Sequence, residues 1–377
     1  MQIHPKSPTE RLRHVAAALT LAIAGVAAPA LADDHDNAYQ VHNLVSDGFL
    51  PADHTDQNLV NAWGIALNPT GPAWIADNGS GLSTLYDGAG MPLSLVVQIP
   101  TPTANTGGNP TGIVFNPVNA ATSFPVSLNG GTAGGSRFIF ATEDGVIAGW
   151  APSVDGTHAV VAVDSSSNNA VYKGLTISGN GSTQLLYATD FHNARIDVFD
   201  NTWKPATLAA GAFVDPKIPT GYAPFGIQAI GGNIYVTYAK QDAAGHDDVH
   251  GPGLGFVDVY DPNGVMLHRV ATHGRLNAPW GIALAPAGFG KFSNSLLIGN
   301  FGDGRVNAYD TKNYTPRGQL DGVQVDGLWG LAFGNGFAGQ SVNTLYFTAG
   351  PGDEAHGLYG RIDAIPQTKQ DDDNEQD

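Results

Sequence analysis

The chain has 377 residues, with 49 glycines, 24 prolines, 42% hydrophobic residues and only 14% charged ones, a mixture that suits many short strands joined by tight turns. Its net charge of −17 argues against nucleic acid and anionic membrane as partners, because both are held by Lys and Arg neutralising phosphate. With no cysteine, disulfides, thiolate metal centres and a cysteine nucleophile are excluded.

Residues 1–32 read as a cleavable secretory signal. Lys6, Arg11 and Arg13 form a basic start, residues 15–27 are an apolar run, and Ala30-Leu31-Ala32 is a small-x-small cleavage site before Asp33. The run is shorter than the roughly 20 residues needed to span a bilayer. Cleavage leaves 14 basic residues (17 less three) against 33 acidic ones (34 less one), a charge of −19. The expected product is an exported protein in the periplasm or outside the cell, monomeric and without membrane insertion.

After a linker at 33–38, residues 39–366 read as a β-propeller. Six segments share an x-Gly-Ile/Leu core: Trp63-Gly64-Ile65, Thr111-Gly112-Ile113, Lys173-Gly174-Leu175, Phe225-Gly226-Ile227, Trp280-Gly281-Ile282 and Trp329-Gly330-Leu331. Each is followed by a second apolar run, such as Leu185-Leu186-Tyr187-Ala188. A third, alternating run follows, such as Arg195-Ile196-Asp197-Val198-Phe199-Asp200. A fourth strand follows in most units, as at 94–99 and 266–271. Four strands in about fifty residues make one propeller blade. The glycines are expected to permit close approach at a crowded axis. The pairs Tyr86-Asp87, Phe199-Asp200, Tyr260-Asp261 and Tyr309-Asp310 are expected to pack the aromatic ring and turn the chain on the Asp.

The sixth unit stops at Ile365 without a fourth strand, while residues 39–45 are a strand without a unit. Pairing the two closes a six-bladed ring and removes an exposed edge. The acidic tail at 367–377 is expected to be disordered.

The pattern x-Gly-Ile-Ala-Leu, then Leu-Tyr-Ala-Thr-Asp, then Asn-Ala-Arg-Ile-Asp-Val-Phe-Asp, best matched over residues 185–200, resembles the NHL-type propeller repeat. Ala62-Trp63-Gly64-Ile65-Ala66, Ala188-Thr189-Asp190-Phe191-His192 and Pro279-Trp280-Gly281-Ile282-Ala283 resemble a family of uncharacterised exported bacterial propellers. Some of its members carry a PEP-CTERM sorting tail, absent here. The resemblance spans about residues 37–366 and implies fold and export, with no activity attached.

On a propeller, the loops entering the inner strands and those joining strands two and three open on one face, where ligands gather. That face is expected to carry Trp63, Lys173, Phe225, Trp280 and Trp329 from the first set. The second set offers Asp77, Asn78, Glu143, Asp144, Asp190, His192, Lys240, Asn300 and Asp303. The tryptophans could equally plug the channel. Two long loops add His246-Asp247-Asp248-Val249-His250 and Asp353, Glu354 and His356, read as solvated polar loops or as imidazole–carboxylate chemistry. No nucleophile elbow, P-loop or His-Glu-x-x-His motif is present. By analogy with gluconolactonase-like propellers, Glu143, Asp190 and Asn300 could hold a divalent cation such as calcium. Three readings follow: a small-molecule or protein-binding propeller without catalysis, a metal-dependent lactonase or esterase, and a structural cell-surface or matrix component.

Overall fold

The computed structural model describes residues 38–179 and 183–365. The stretch read as a signal (1–32), most of the expected linker and the acidic tail lie outside the described residues. The described chain is nearly all β, and no helix in it is long and apolar enough to cross a membrane.

Six small, mainly antiparallel sheets form the blades, here numbered 1 to 6 in chain order. Their inner strands are Ala62–Leu67, Pro110–Phe115, Tyr172–Gly179, Tyr222–Ile230, Pro279–Leu284 and Leu328–Phe333. These pack side by side in sequence order, and the last meets the first. The glycine near the start of each inner strand is what allows this. A Cβ on Gly64, Gly112, Gly174, Gly226, Gly281 or Gly330 would lie under 3.0 Å from backbone of the next blade, with Gly330 abutting the carbonyl of Trp63. The same contacts are pinned by threonines: Thr189 Oγ1 donates to Phe225 O at 2.7 Å, Thr111 Oγ1 to Tyr172 O at 2.7 Å, and Thr348 Oγ1 to Trp63 O. Outward from the axis, apolar side chains fill the seams between blades, as where Trp74 stacks on Phe138 at 3.9 Å.

The closing strand is where the sequence places it. Tyr39–Ser46 pairs antiparallel with Leu358–Ala364, from Tyr39 opposite Ala364 to Ser46 opposite Leu358, with a bulge between Asn43 and Val45. Tyr39 also reaches blade 5, donating from Oη to Phe289 O at 3.0 Å and accepting from Phe292 N at 3.1 Å.

The four aromatic–Asp pairs behave as expected. Each Asp Oδ1 accepts two backbone N–H bonds from the following turn, as Asp261 does from Asn263 and Val265, both at 2.9 Å. The preceding rings are buried.

Blade 3 departs from the four-stranded expectation. Its sheet has three strands, and the fourth is reduced to a bridge between Phe199 and Pro205. Proline has no N–H for a ladder, and the following segment adds Pro216 and Pro219. The longest glycine spacing, between blades 2 and 3, is explained by an excursion after Phe115 that forms its own ribbon, Pro125–Val126 with Gly134–Gly135.

Candidate functional site

The face on which the inner strands begin, called the top, is closed by stacked rings. Trp63 lies on Trp329 at 3.8 Å, and Phe301 covers the other side of Trp329 at 4.1 Å. Phe225 and Trp280 meet Trp329 edge-on, each with centroids 5.8 Å away. Trp63 and Trp329 are 2% and 1% exposed, so they plug the channel, while Trp280 and Phe301 remain half-buried at the surface.

Above this plug sits a buried cation. Lys173 is 2% exposed, its Nζ lies 5.1 Å from the centre of the Trp63 ring, and its carbonyl accepts the Trp280 indole N–H at 2.9 Å. Nζ donates to Glu143 Oε1 of blade 2 and, at 3.2 Å, to Asp247 Oδ1 from the long loop of blade 4. Burial alone would lower the Lys173 pKa, but these two carboxylates outweigh it and hold the ammonium above its ordinary value. From Glu143 the network runs on through Asn78 Nδ2 (2.8 Å), Asn61 Nδ2 to Asn78 Oδ1 (3.2 Å), and the Trp329 N–H to Asn61 Oδ1 (3.1 Å). Residues of five blades thus meet in one hydrogen-bonded chain.

Two further carboxylates face this cation. Asp248, its side chain 8% exposed, is pushed up to about 6 by burial and by Asp247, against Lys173 and His250. Among the described residues its Oδ2 has no hydrogen-bond partner, with His250 Nδ1 3.8 Å away. Glu354 of blade 6 is pushed up to about 7 by burial and then by Glu143, Asp248 and Asp247, with Lys173 opposing. Asp353 and Glu354 both take left-handed backbone, φ 55° and 64°, an uncommon cost for non-glycine residues that fixes this turn over the site.

The sign for Glu354 follows from its raised value. Between its ordinary 4.5 and about 7 the folded protein holds a proton the unfolded chain has released, so stability falls as pH rises through that window. Asp248 acts in the same direction. The unfolding free energy from urea titrations is therefore expected to drop by about 1–3 kcal/mol from pH 5 to pH 8 through these groups, and Glu354→Gln to remove part of that slope. An unchanged slope in the variant would remove Glu354 from the account.

The predicted residues divide by one step of register. The last residue of each second strand turns back into its own blade: Asp190 accepts from Val171 N (3.3 Å) and Asn193 Nδ2 (2.7 Å), and Asn300 donates to Arg275 O (2.8 Å) and Asp303 Oδ1 (3.0 Å). Asp77 is fully buried in this register, and burial raises its pKa well above the ordinary range. The next residue faces the axis at Asn78, Glu143, Phe191 and Phe301, and Ala239, inside the longer second strand Asn233–Gln241 of blade 4, packs with Phe191 and Phe301 there. Of the predicted residues, Trp63, Asn78, Glu143, Lys173, Phe225, Trp280 and Trp329 therefore converge. Asp190, Asn300 and Asp303 serve local turns, Asp77 is buried beside Thr84, Asp144 accepts the Asn109 N–H at 2.8 Å, His192 lies beside Gly245, and Lys240 is exposed.

Of the trio Glu143, Asp190 and Asn300, Asp190 and the Asn300 Nδ2 are bonded locally, Glu143 is engaged by Lys173 and Asn78, and the buried Asn300 Oδ1 has no hydrogen-bond partner among the described residues. Among the described residues, Glu143, His246 and Asp247 offer ligand atoms within 4.8 Å of one another instead. Lys173 already occupies the Glu143 and Asp247 oxygens, and one imidazole with two carboxylates falls short of the six to eight oxygens calcium takes. These three residues alone do not make a calcium centre. Asn61, Phe301 and Asn109 are site members that sequence reasoning missed. Asn61 occupies a left-handed position (φ 46°) matched by Ala278 and Gly327 before the tryptophans of blades 5 and 6.

No protein-family model matches the chain. Among solved structures it is similar to the soluble aldose sugar dehydrogenase of Escherichia coli (TM-score 0.52, 13% identity, 87% of this chain and 100% of that one). It is also similar to the PQQ-bound aldose sugar dehydrogenase of Streptomyces coelicolor (TM-score 0.51, 13% identity, 87% and 99%). At that identity the likeness is one of fold alone. The uncharacterized protein R648 of Acanthamoeba polyphaga mimivirus is 32% identical over 335 residues, covering 86% of this chain and 80% of its own length. The uncharacterized protein L690 of the same virus is 31% identical over 335 residues, covering 86% and 85%. These relatives are viral, so they lend no support to the bacterial source that the repeat pattern suggests. By identity and coverage, this six-bladed propeller belongs to the family of the mimivirus proteins R648 and L690.

Proposed function

We propose that the chain is an exported ligand-binding propeller whose recognition surface is the top face around Lys173. The observation that carries the reading is the Lys173 network itself, a buried ammonium held by carboxylates from separate blades over an aromatic floor. Four carboxylates against one ammonium leave that face anionic, and Trp280 and Phe301 keep exposed ring surface beside it. Such a face favours a small organic cation or an uncharged polar molecule and repels anions. Export rests on the basic, apolar and small-x-small pattern of residues 1–32.

Calorimetric titration with a panel of alkylamines and neutral sugars, on wild type and Asp247→Asn, tests this. At least one amine or sugar is expected to bind wild type and to lose about tenfold in the variant, a difference of 1.4 kcal/mol. A panel in which nothing binds, or binds both proteins alike, sinks the reading.

The spacing of Glu143, His246 and Asp247 supports a second reading, a transition-metal ion held where Lys173 now donates. Metal analysis of purified protein and melting in chelator separate the two, because only the metal reading predicts bound metal and a lower melting temperature.

A further inference from the structure

The opposite mouth of the channel is built of different material. The six inner strands end there in a ring of Leu67, Phe115, Ile177, Ile230, Leu284 and Phe333, one from each blade, around an open cup of about 470 Å³. None of the side chains lining it is charged, in a protein of net charge −17. The cup narrows upward to a neck of about 30 Å³ bounded by Gly64, Gly112, Gly330 and Trp280. Above the neck lies the aromatic plug, so the cup is a dead end rather than a passage.

Its polar features are few and fixed. Each inner strand is the edge of its sheet, so strand backbone contributes hydrogen-bonding groups to the wall. The Thr176 hydroxyl is already used, accepting the Ala229 N–H at 3.0 Å. Gln228 lines both cup and neck, and among the described residues its carboxamide makes no hydrogen bond. A concave, largely pre-formed cavity of several hundred Å³ with one convergent polar group is what a small-molecule site requires.

We infer that this cup is a second binding site, distinct from the top face, for an uncharged apolar molecule carrying one hydrogen-bonding group that meets Gln228. Charge is disfavoured by chemistry, because an ion seated against apolar walls without a charged side chain loses its hydration without gaining a counter-ion. A long ligand is excluded by the closed neck.

The test uses N-phenyl-1-naphthylamine, an uncharged fluorophore with a single N–H, titrated into the full chain. Saturable binding of one probe per protein is expected. Gln228→Glu and Leu284→Arg should each weaken it about tenfold or more by placing a charge in the wall. Both positions are exposed, Leu284 at 45%, so melting temperatures should stay within about 2 °C of wild type. Should one variant fail to fold, the other decides. Asp247→Asn should leave probe binding intact, which separates this site from the top face. Probe signal that never saturates, or that persists unchanged in the folded variants, overturns the inference.

Discussion

Removing residues 38–46 is expected to abolish the cooperative native state. Those residues supply the outer strand of blade 6, and their loss strips the whole Leu358–Ala364 edge of its hydrogen-bond partners. Tyr39, Leu44 and Val45 would leave the core with them, at 3%, 2% and 0% exposure. At about 1.5–3 kcal/mol per buried side chain the loss is roughly 5–8 kcal/mol, comparable with the whole stability of many domains. The Tyr39 tie to blade 5 goes as well, so the damage reaches two blades. An unpaired edge also templates association between chains. Light scattering coupled to gel filtration should show oligomers or aggregates, and circular dichroism should show no cooperative melt. A synthetic peptide of residues 38–46 should restore part of the melt, since the gap it fills is formed by the rest of the chain. A monomeric truncated protein melting like wild type would show that ring closure is not what stabilises the fold.

The closure was legible because it depends on counting strands, and strand count survives in the sequence as a period. The same holds for the glycines that meet the next blade's backbone and for the Asp residues that cap the turns. Each is a local requirement repeated six or four times. Blade 3 was less legible: its missing fourth strand depends on where prolines fall relative to a ladder, not on the hydrophobic period.

The site was legible in part, and the failure has a physical form. Side chains along a strand alternate in direction, so a one-residue step decides whether a group faces the axis or its own hairpin. Asp190 and Asn300 stand one step short of the axis, whereas Glu143 stands on it. In blade 2 the short register belongs to Thr142, whose Oγ1 accepts the Val146 N–H at 3.1 Å, the same kind of turn duty. Asp247, Asp248 and Glu354 were visible only as members of polar loops. Their approach to Lys173 is set by loop backbone, by the pairing of Asp248–Val249 with Lys240 and Gln241 and by the left-handed turn at Asp353 and Glu354, neither of which has a periodic signature.

Replacing Lys173 is expected to be the most damaging single substitution on the top face. Lys173→Met keeps much of the side-chain volume over Trp63 but removes the ammonium, leaving Glu143 and Asp247 without their shared cation. Breaking a buried pair by deleting one partner costs about 3–5 kcal/mol. Of the two carboxylates, only Glu143, its side chain 14% exposed, is left desolvated, while Asp247 at 66% is screened by water, so about 2–3 kcal/mol is expected. Here the remaining charge is multiple, since Asp248 and Glu354 also face Lys173. Their pKa values should climb further without it, steepening the loss of stability between pH 5 and 8. Urea unfolding at pH 7 gives the direct reading, and a loss under about 1 kcal/mol would mean the network is solvated rather than buried. Adding Glu143→Gln to Lys173→Met should recover part of the loss, because the neutral amide can still accept from Asn78 while carrying no charge. The positive coupling in that cycle is the signature of a charge pair. Simple additivity would instead assign Lys173 a packing role, and the top face would then lose the cation on which its anionic surroundings are organised.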